Sequence, residues 1–384
     1  MGGPVRDLLL GRPAIDVDLT LEEGASTLAR ALAKHVDGRV KSFPQFLTYK
    51  VVAEGLPDID IATARRERYR APGALPAVEV GKLKDDLLRR DFSINAIAVD
   101  VIDGTIHDPT DGQKDLRDRV VRVLHDKSFI DDPTRVFRAI RLATRLGFTI
   151  EPETAGWMRE AIESGALQSI SKERIWREIF HAMDEANAPA VLAAFDQHGA
   201  LEPVLGARLS PEARPMLDRV VQAVTARPDL DRYVLYTGAL LRGIEEVPPV
   251  LEGSGFSQKR TRAIMQIARD LPRFEDALAG AQSDRHRFRL LKSVSPEMRS
   301  ILAAERPAES AHVSRFEEFQ RFKLPLRGND LELPAGPHVA RALERTREAV
   351  FTGEIAPDQA RTFAREVAMK YLKREQDHQP SNPK

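Results

Sequence analysis

The hydrophobic positions of this 384-residue chain change period about one third of the way along. Up to about residue 125 the apolar residues fall in short runs separated by turn residues. Residues 15–19, 46–52, 59–62 and 120–124 pattern as strands, and 95–101 as a helix running into a strand. From about residue 130 a 3.6-residue period takes over: 132–146, 152–164, 172–186 and 188–198 each carry an apolar stripe and follow one another with short breaks. The pattern predicts an α+β fold, with a sheet-and-helix head over 1–127, a helical neck over 128–202 and an all-α body and tail over 203–372. Breaks are expected near 203–215 and 325–337, and the polar segment 373–384 is expected to be disordered.

Charge and composition narrow the classes. Lys and Arg number 58 and Asp and Glu 58, so no whole-molecule field draws the chain to nucleic acid, and any basic surface must be local. There is no cysteine, which removes disulfides, thiolate zinc sites and cysteine nucleophiles. No signal-peptide pattern follows Met1, and no apolar run approaches the roughly 20 residues that span a bilayer, so a cytoplasmic protein with no membrane partner is expected. No protein partner is inferable.

The first stretch, "GGPVRDLLLGRPAIDVDL", concentrates the candidate chemistry. Gly2 and Gly3 precede Pro4, which suits a first helical position, and about two helical turns follow to Gly11. Glycines allow close backbone approach, and a helix start offers free N–H groups to phosphate, with Arg6 nearby. Asp16 and Asp18 then share one face of a strand whose other face carries Ile15, Val17 and Leu19. Paired carboxylates of this kind suit Mg²⁺ and phosphate-bearing substrates. A third carboxylate is offered by Asp60, between Ile59 and Ile61, with Asp58 of the same parity as the alternative.

On the helix expected from Asp132, residues about 100° apart bring Arg138, Arg141 and Arg145 within roughly 60° of one another. Val136, Ala139, Ile140, Ala143 and Leu146 form the opposite, buried stripe. His107 and the pair His125–Asp126 read as structural, and no G-x-S-x-G is present.

Four motifs in order, "GGPVRDLLLGR…DVDL", "RRDFSINAIA", "DGQKDLRDRVVRVL" and "DDPTRVFRAIRLATRLGF", followed by "ISKERIWREI" and, more loosely, "LPLRGNDLELPAGPHVARAL", resemble the bacterial class II tRNA nucleotidyltransferases and the related bacterial poly(A) polymerases. The resemblance implies a nucleotidyltransferase-type head with Asp16 and Asp18 as metal ligands and, with Asp60, the catalytic carboxylates. It implies a nucleotide held by Gly3, Arg6, Arg90, Asp91, Arg138 and Arg141, with Arg90 and Asp91 at its sugar. Asp132 and Arg135 match a D-x-x-R pair that reads the base edge of CTP and ATP without a nucleic-acid template, which an acid beside a guanidinium fork can do. The implied partner is the acceptor arm of tRNA, gripped by basic faces that include the cations between Phe363 and Arg374.

The implied reaction is addition of CCA, or of CC or A alone, to tRNA 3′ ends from CTP and ATP by two-metal in-line transfer. A poly(A) polymerase, a catalytically inactive RNA-binding protein and a sugar-nucleotide transferase are the rivals; the last leaves "RRDFSINA" and the arginine helix without a role. Two departures stand out. Asp131 occupies a position that is commonly Glu. Relatives also carry a helix and a strand before the Gly-Gly, so the expectation is a sequence begun at a later methionine or a head shortened at that edge.

Overall fold

A computed structural model describes residues 1–13 and 16–377, so Ile15 lies outside the described residues. The chain divides into two units, Met1–Arg214 with Glu246–Phe256, and Pro215–Glu245 with Ser257–Lys384. The division lies inside the 203–215 stretch.

The first unit opens with α1 (Gly3–Leu9), β1 (Val17–Leu21), α2 (Ala25–His35), β2 (Arg39–Phe43), β3 (Thr48–Val52) and β4 (Ile59–Thr63). The four strands form one sheet in the order β1-β4-β3-β2, with β1 and β4 parallel and the other pairs antiparallel. On α2, Ala25, Ala29 and Ala33 recur every fourth residue and are buried; side chains this small let the helix lie close over Val51 and Ile61. Leu19, Leu21 and Ile59 pack with that cluster. Strand alternation therefore turns Asp18 and Asp60, which are register partners, to the opposite face.

A hairpin of β5 (Arg65–Arg68) and β6 (Ala77–Val80) leads to α3 (Leu83–Leu88), a 3₁₀ turn at Ser93–Asn95, the ribbon β7 (Ala98–Val99) and β8 (Ile106–His107), α4 (Gly112–Asp118) and β9 (Val120–Val121). The helical part follows as α5 (Ser128–Asp131), α6 (Thr134–Leu146), β10 (Thr149–Ile150, parallel to β9), α7 (Pro152–Glu163), α8 (Lys172–Met183) and α9 (Ala188–Gln197). The apolar stripe of α6 is buried as its period predicts, and Phe137 meets Phe195 edge-to-face at 5.1 Å between ring centroids. Each such buried aromatic contributes about 1.5–3 kcal/mol.

Several elements differ from the sequence pattern. The stretch 95–101 does reach a strand, Ala98 and Val99 pairing with His107 and Ile106, but the helix expected before it is only the 3₁₀ turn Ser93–Asn95. The strand expected at 46–52 starts at Thr48, since Pro44–Phe46 form a 3₁₀ turn closed by Leu47 at φ 54. The helix expected from Asp132 begins at Thr134; Asp132 is extended, as a residue before proline tends to be. The helices α2 and α3 and the strands β2, β5 and β6 carry charged residues on exposed faces that mask their periods.

Among the described residues every element of the second unit is helical. One core gathers Phe288, Phe316, Phe319 and Phe351, with Phe288 stacked on Phe319 at 4.9 Å. The last two helices, Pro337–Phe351 and Ala360–Asp377, pack through Ala342, Ala364 and Ala368. The final helix runs to Asp377, so 373–377, expected to be disordered, are helical; Lys, Arg, Glu and Gln there are strong helix formers. Residues 378–384 lie outside the described residues. No described helix is long and apolar enough to cross a membrane.

Candidate active site

A cavity of about 290 Å³ in the first unit brings together residues far apart in sequence. Its lining includes Gly3 and Arg6 from α1, Asp18 from β1, Arg90 and Asp91 from the turn after α3, and Arg138 and Arg141 from α6. With Arg145, which also lines it, eight of the residues singled out from the sequence thus meet at one place.

Local chemistry explains the convergence. Gly2 adopts φ 71, and a Cβ there would collide with the Arg90 guanidinium, so glycine lets α1 start against "RRD". The Gly2 N–H donates to the Ile97 carbonyl at 3.0 Å. Arg6 is buried and donates from Nη1 to Asn95 Oδ1 at 2.7 Å, and through Nε to Asp7 at 2.8 Å. Asn95 Nδ2 in turn donates to Asp91 Oδ1 at 3.0 Å. Asp91 Oδ2 accepts from Arg138 Nε at 3.0 Å. This relay fixes the geometry of one cavity wall across three elements.

Burial alone would raise the Asp91 carboxyl, but the Arg138 charge and the bonds from Asn95 and Arg138 hold it well below the usual carboxylate range. The Asp91 charge, against burial, raises Arg138 correspondingly. Burial, then the Arg6 charge, lowers Arg145, another lining residue, and burial lowers Arg90 despite Asp86. Five lining arginines face three lining carboxylates, Asp18, Asp91 and Glu185, and this cationic surplus suits a polyanion. The Nε atoms of Arg90 and Arg141 are buried without a hydrogen-bond partner.

The remaining candidates stand elsewhere. Asp16 is exposed just before β1, and Asp60 is paired with Lys50 at 3.1 Å. Asp132 Oδ1 accepts from Thr134 and from Arg174 Nη2, the latter at 2.7 Å. Arg135 is buried, donating to Ser128 Oγ at 2.6 Å and to the Arg89 carbonyl at 3.2 Å. Asn95, Asp86 and Arg174 were not anticipated. Asn95 was findable, lying four residues after Asp91, but Arg174 reaches Asp132 over 42 residues and leaves no local signal.

Among the described residues no three acidic or histidine side chains converge on one point. Burial raises the Asp18 carboxyl, and Asp60 and Asp16 add to the rise against the opposing charges of the Met1 ammonium and Arg90. Two carboxylates fit an ion such as Mg²⁺, which is bound through one or two carboxylates together with substrate phosphates.

Comparison with known proteins places the arrangement. Residues 1–122 match the poly A polymerase head domain, and residues 147–216 a probable RNA and SrmB-binding site of polymerase A. A solved tRNA nucleotidyltransferase, complexed with a primer tRNA and an incoming ATP analog, is 30% identical with a TM-score of 0.68, covering 83% of this chain and 94% of that one. The chain belongs to the tRNA nucleotidyltransferase and poly(A) polymerase family. A CCA-adding enzyme in apo form superposes with a TM-score of 0.81 at 25% identity, over 97% of this chain and 90% of that one.

Among curated relatives in this family, the A-adding tRNA nucleotidyltransferase of Geobacter sulfurreducens is 31% identical over 93% of this chain and 43% of its own length. That of Aquifex aeolicus is 41% identical over 53% of this chain and 25% of its own. The multifunctional CCA protein of Xanthomonas campestris is 41% identical over 53% of this chain and 50% of its own. The chain therefore spans between a quarter and half of the length of these curated relatives.

Proposed function

We propose that the protein is an RNA 3′-end nucleotidyltransferase that adds CCA, or CC or A alone, to tRNA from CTP and ATP in the cytoplasm. The observation that carries this reading is the single cavity shared by Gly3, Arg6, Asp18, Arg90, Asp91, Arg138 and Arg141. The lining arginines hold the triphosphate; Arg6, which gives one donor to Asn95 and two to Asp7, keeps two N–H groups for it. Asp91, kept ionised by Arg138, accepts from the ribose hydroxyls, which selects ribonucleotides over deoxyribonucleotides. Asp132 and Arg135 read the base edge. Because Asp132 Oδ1 takes all of its described hydrogen bonds, Oδ2 is the acceptor left for the base.

Asp16 and Asp18 would hold Mg²⁺, which when bound stabilises charge on the attacking and leaving oxygens. Asp60 completes the acidic edge, with Lys50 neutralising part of its charge. The names of the relatives, A-adding and multifunctional CCA, support this class of reaction.

The test is incubation of purified protein with Mg²⁺, labelled CTP or ATP, and tRNA ending before CCA, at CC, or complete. Incorporation of one to three nucleotides on an incomplete end is expected. No incorporation on any acceptor overturns the proposal, and long A-tracts assign the chain to polymerisation instead.

A further inference from the structure

The second unit contains a cavity of about 450 Å³ that no part of the reaction described above uses. It lies between the helices Asp284–Ser293 and Pro337–Phe351, outside both segments matched to family domains. Its walls carry Arg285, Arg289, Lys292, Arg341 and Arg345, against two carboxylates, Glu344 and Glu348. Its floor is aromatic: Phe288 and Phe319 lie stacked and almost fully buried, and Tyr371 stands beside them.

The two lining carboxylates engage only part of this cationic wall. Glu344 binds Lys292 at 2.8 Å, but Glu348 stands 3.7 Å from Arg285, beyond hydrogen-bond reach. Arg345 pairs with Glu354 through Nη2, but its Nη1 is buried without a hydrogen-bond partner, as is Arg285 Nε, which faces the likewise unpartnered Glu348 Oε1. Arg289 is exposed on the open side. A buried donor left without an acceptor is costly, so an acceptor entering here gains what the protein forgoes. A bare inorganic anion would leave the aromatic floor unused, and an apolar ligand would leave the guanidinium groups unmet. One chemistry uses both surfaces, a phosphate ester carrying a flat ring.

We propose that this cavity takes a single unpaired nucleotide of an RNA chain, its phosphate on the arginines and its base against the Phe288–Tyr371 surface. This rests on the reading of the first-unit site only in taking RNA as the substrate. A free nucleotide has the same chemistry, so the source needs its own arm of the experiment.

The experiment measures binding of fluorescein-labelled tRNA lacking its CCA end to the full chain, as a function of KCl, for the unsubstituted protein, Arg289→Glu and Tyr371→Ala. Arg289→Glu should reduce the slope of log K against log [salt] by about 1, as loss of one phosphate contact does. Tyr371→Ala should weaken binding roughly tenfold while leaving the slope unchanged, since stacking is not ionic. Melting curves check that both variants are folded. Unchanged affinity and slope in both folded variants overturn the proposal. Photolabelling with 8-azido-AMP separates the sources: labelling of the 285–292 peptide without RNA, unaffected by added tRNA, overturns the RNA assignment. Labelling that tRNA abolishes supports it. Nucleotide incorporation by the unsubstituted chain reports the first-unit site independently, so failure of one reading is distinguishable from failure of the other.

Discussion

Arg138, on α6, donates to Asp91, at the end of the turn after α3, from Nε at 3.0 Å, joining two elements 47 residues apart in sequence. The pair sets the charge of the cavity wall. Replacing Asp91 with Asn leaves the guanidinium short of its carboxylate, at a cost of about 1–3 kcal/mol. The lower end of that range applies, because the Arg138 side chain is 38% exposed. Asp91→Asn should therefore lower the melting midpoint by a few degrees and relax the preference for ATP over dATP, measured by competing the two in the addition assay. Equal discrimination in the variant would remove Asp91 from the sugar site.

The same pair predicts an acid dependence. The folded Asp91 carboxyl is depressed, so its stabilisation is complete above the unfolded value of about 3.9 and is lost as pH falls towards the lower folded value. Urea midpoints should decline more steeply between about pH 4.5 and about pH 3 in the parent than in Asp91→Asn. Parallel declines would contradict the assignment.

Asp18 behaves in the opposite sense. Burial and its acidic neighbours disfavour its charge, so Asp18→Asn should stabilise the metal-free protein by about 0.5–2 kcal/mol, as relief of functional strain does. The same change, or Asp16→Ala, should abolish nucleotide addition with little loss of tRNA binding, because a metal ligand acts in the chemical step. Retained turnover in both variants would sink the carboxylate assignment.

What was legible in the sequence follows the range of the forces involved. Strand parity fixed the faces of Asp18 and Asp60, and helical period fixed the buried stripe of α6, since both are set within a few residues. The arginine face was legible as a cluster, but its partners were not: Arg138 is held by Asp91 and Arg141 by Glu178 and Glu185, all brought in by the fold. Arg6 reads locally as a phosphate ligand near a helix start, yet Asn95, 89 residues away, has taken one of its donors. The hairpin β5–β6 stayed hidden because its charged residues obscure alternation; of its ion pairs Arg65–Glu67 is local, but Glu67–Arg89 spans 22 residues.

That hairpin supplies the last prediction. Its tip docks on the turn that carries Asp132: the Gly73 N–H donates to the Ile130 and Asp131 carbonyls at 3.3 and 3.2 Å, and the Gly73 carbonyl accepts from Arg174 Nη1 at 2.7 Å. Arg174 Nη2 simultaneously holds Asp132. Gly73 has φ 70, and a Cβ there would strike Ser169 Oγ and crowd Ile170 at 3.0 Å, so Gly73→Ala should cost about 1–3 kcal/mol of local strain. The strain is relieved most cheaply by lifting the tip away from the turn, which frees Arg174 and loosens Asp132. Limited proteolysis should then cut faster within 69–76, and discrimination among CTP, ATP and UTP should fall, while tRNA affinity holds. Arg174→Ala should give the same loss of discrimination, since both changes act on Asp132. Rapid cleavage with nucleotide choice intact would show that the hairpin does not position the base-reading pair.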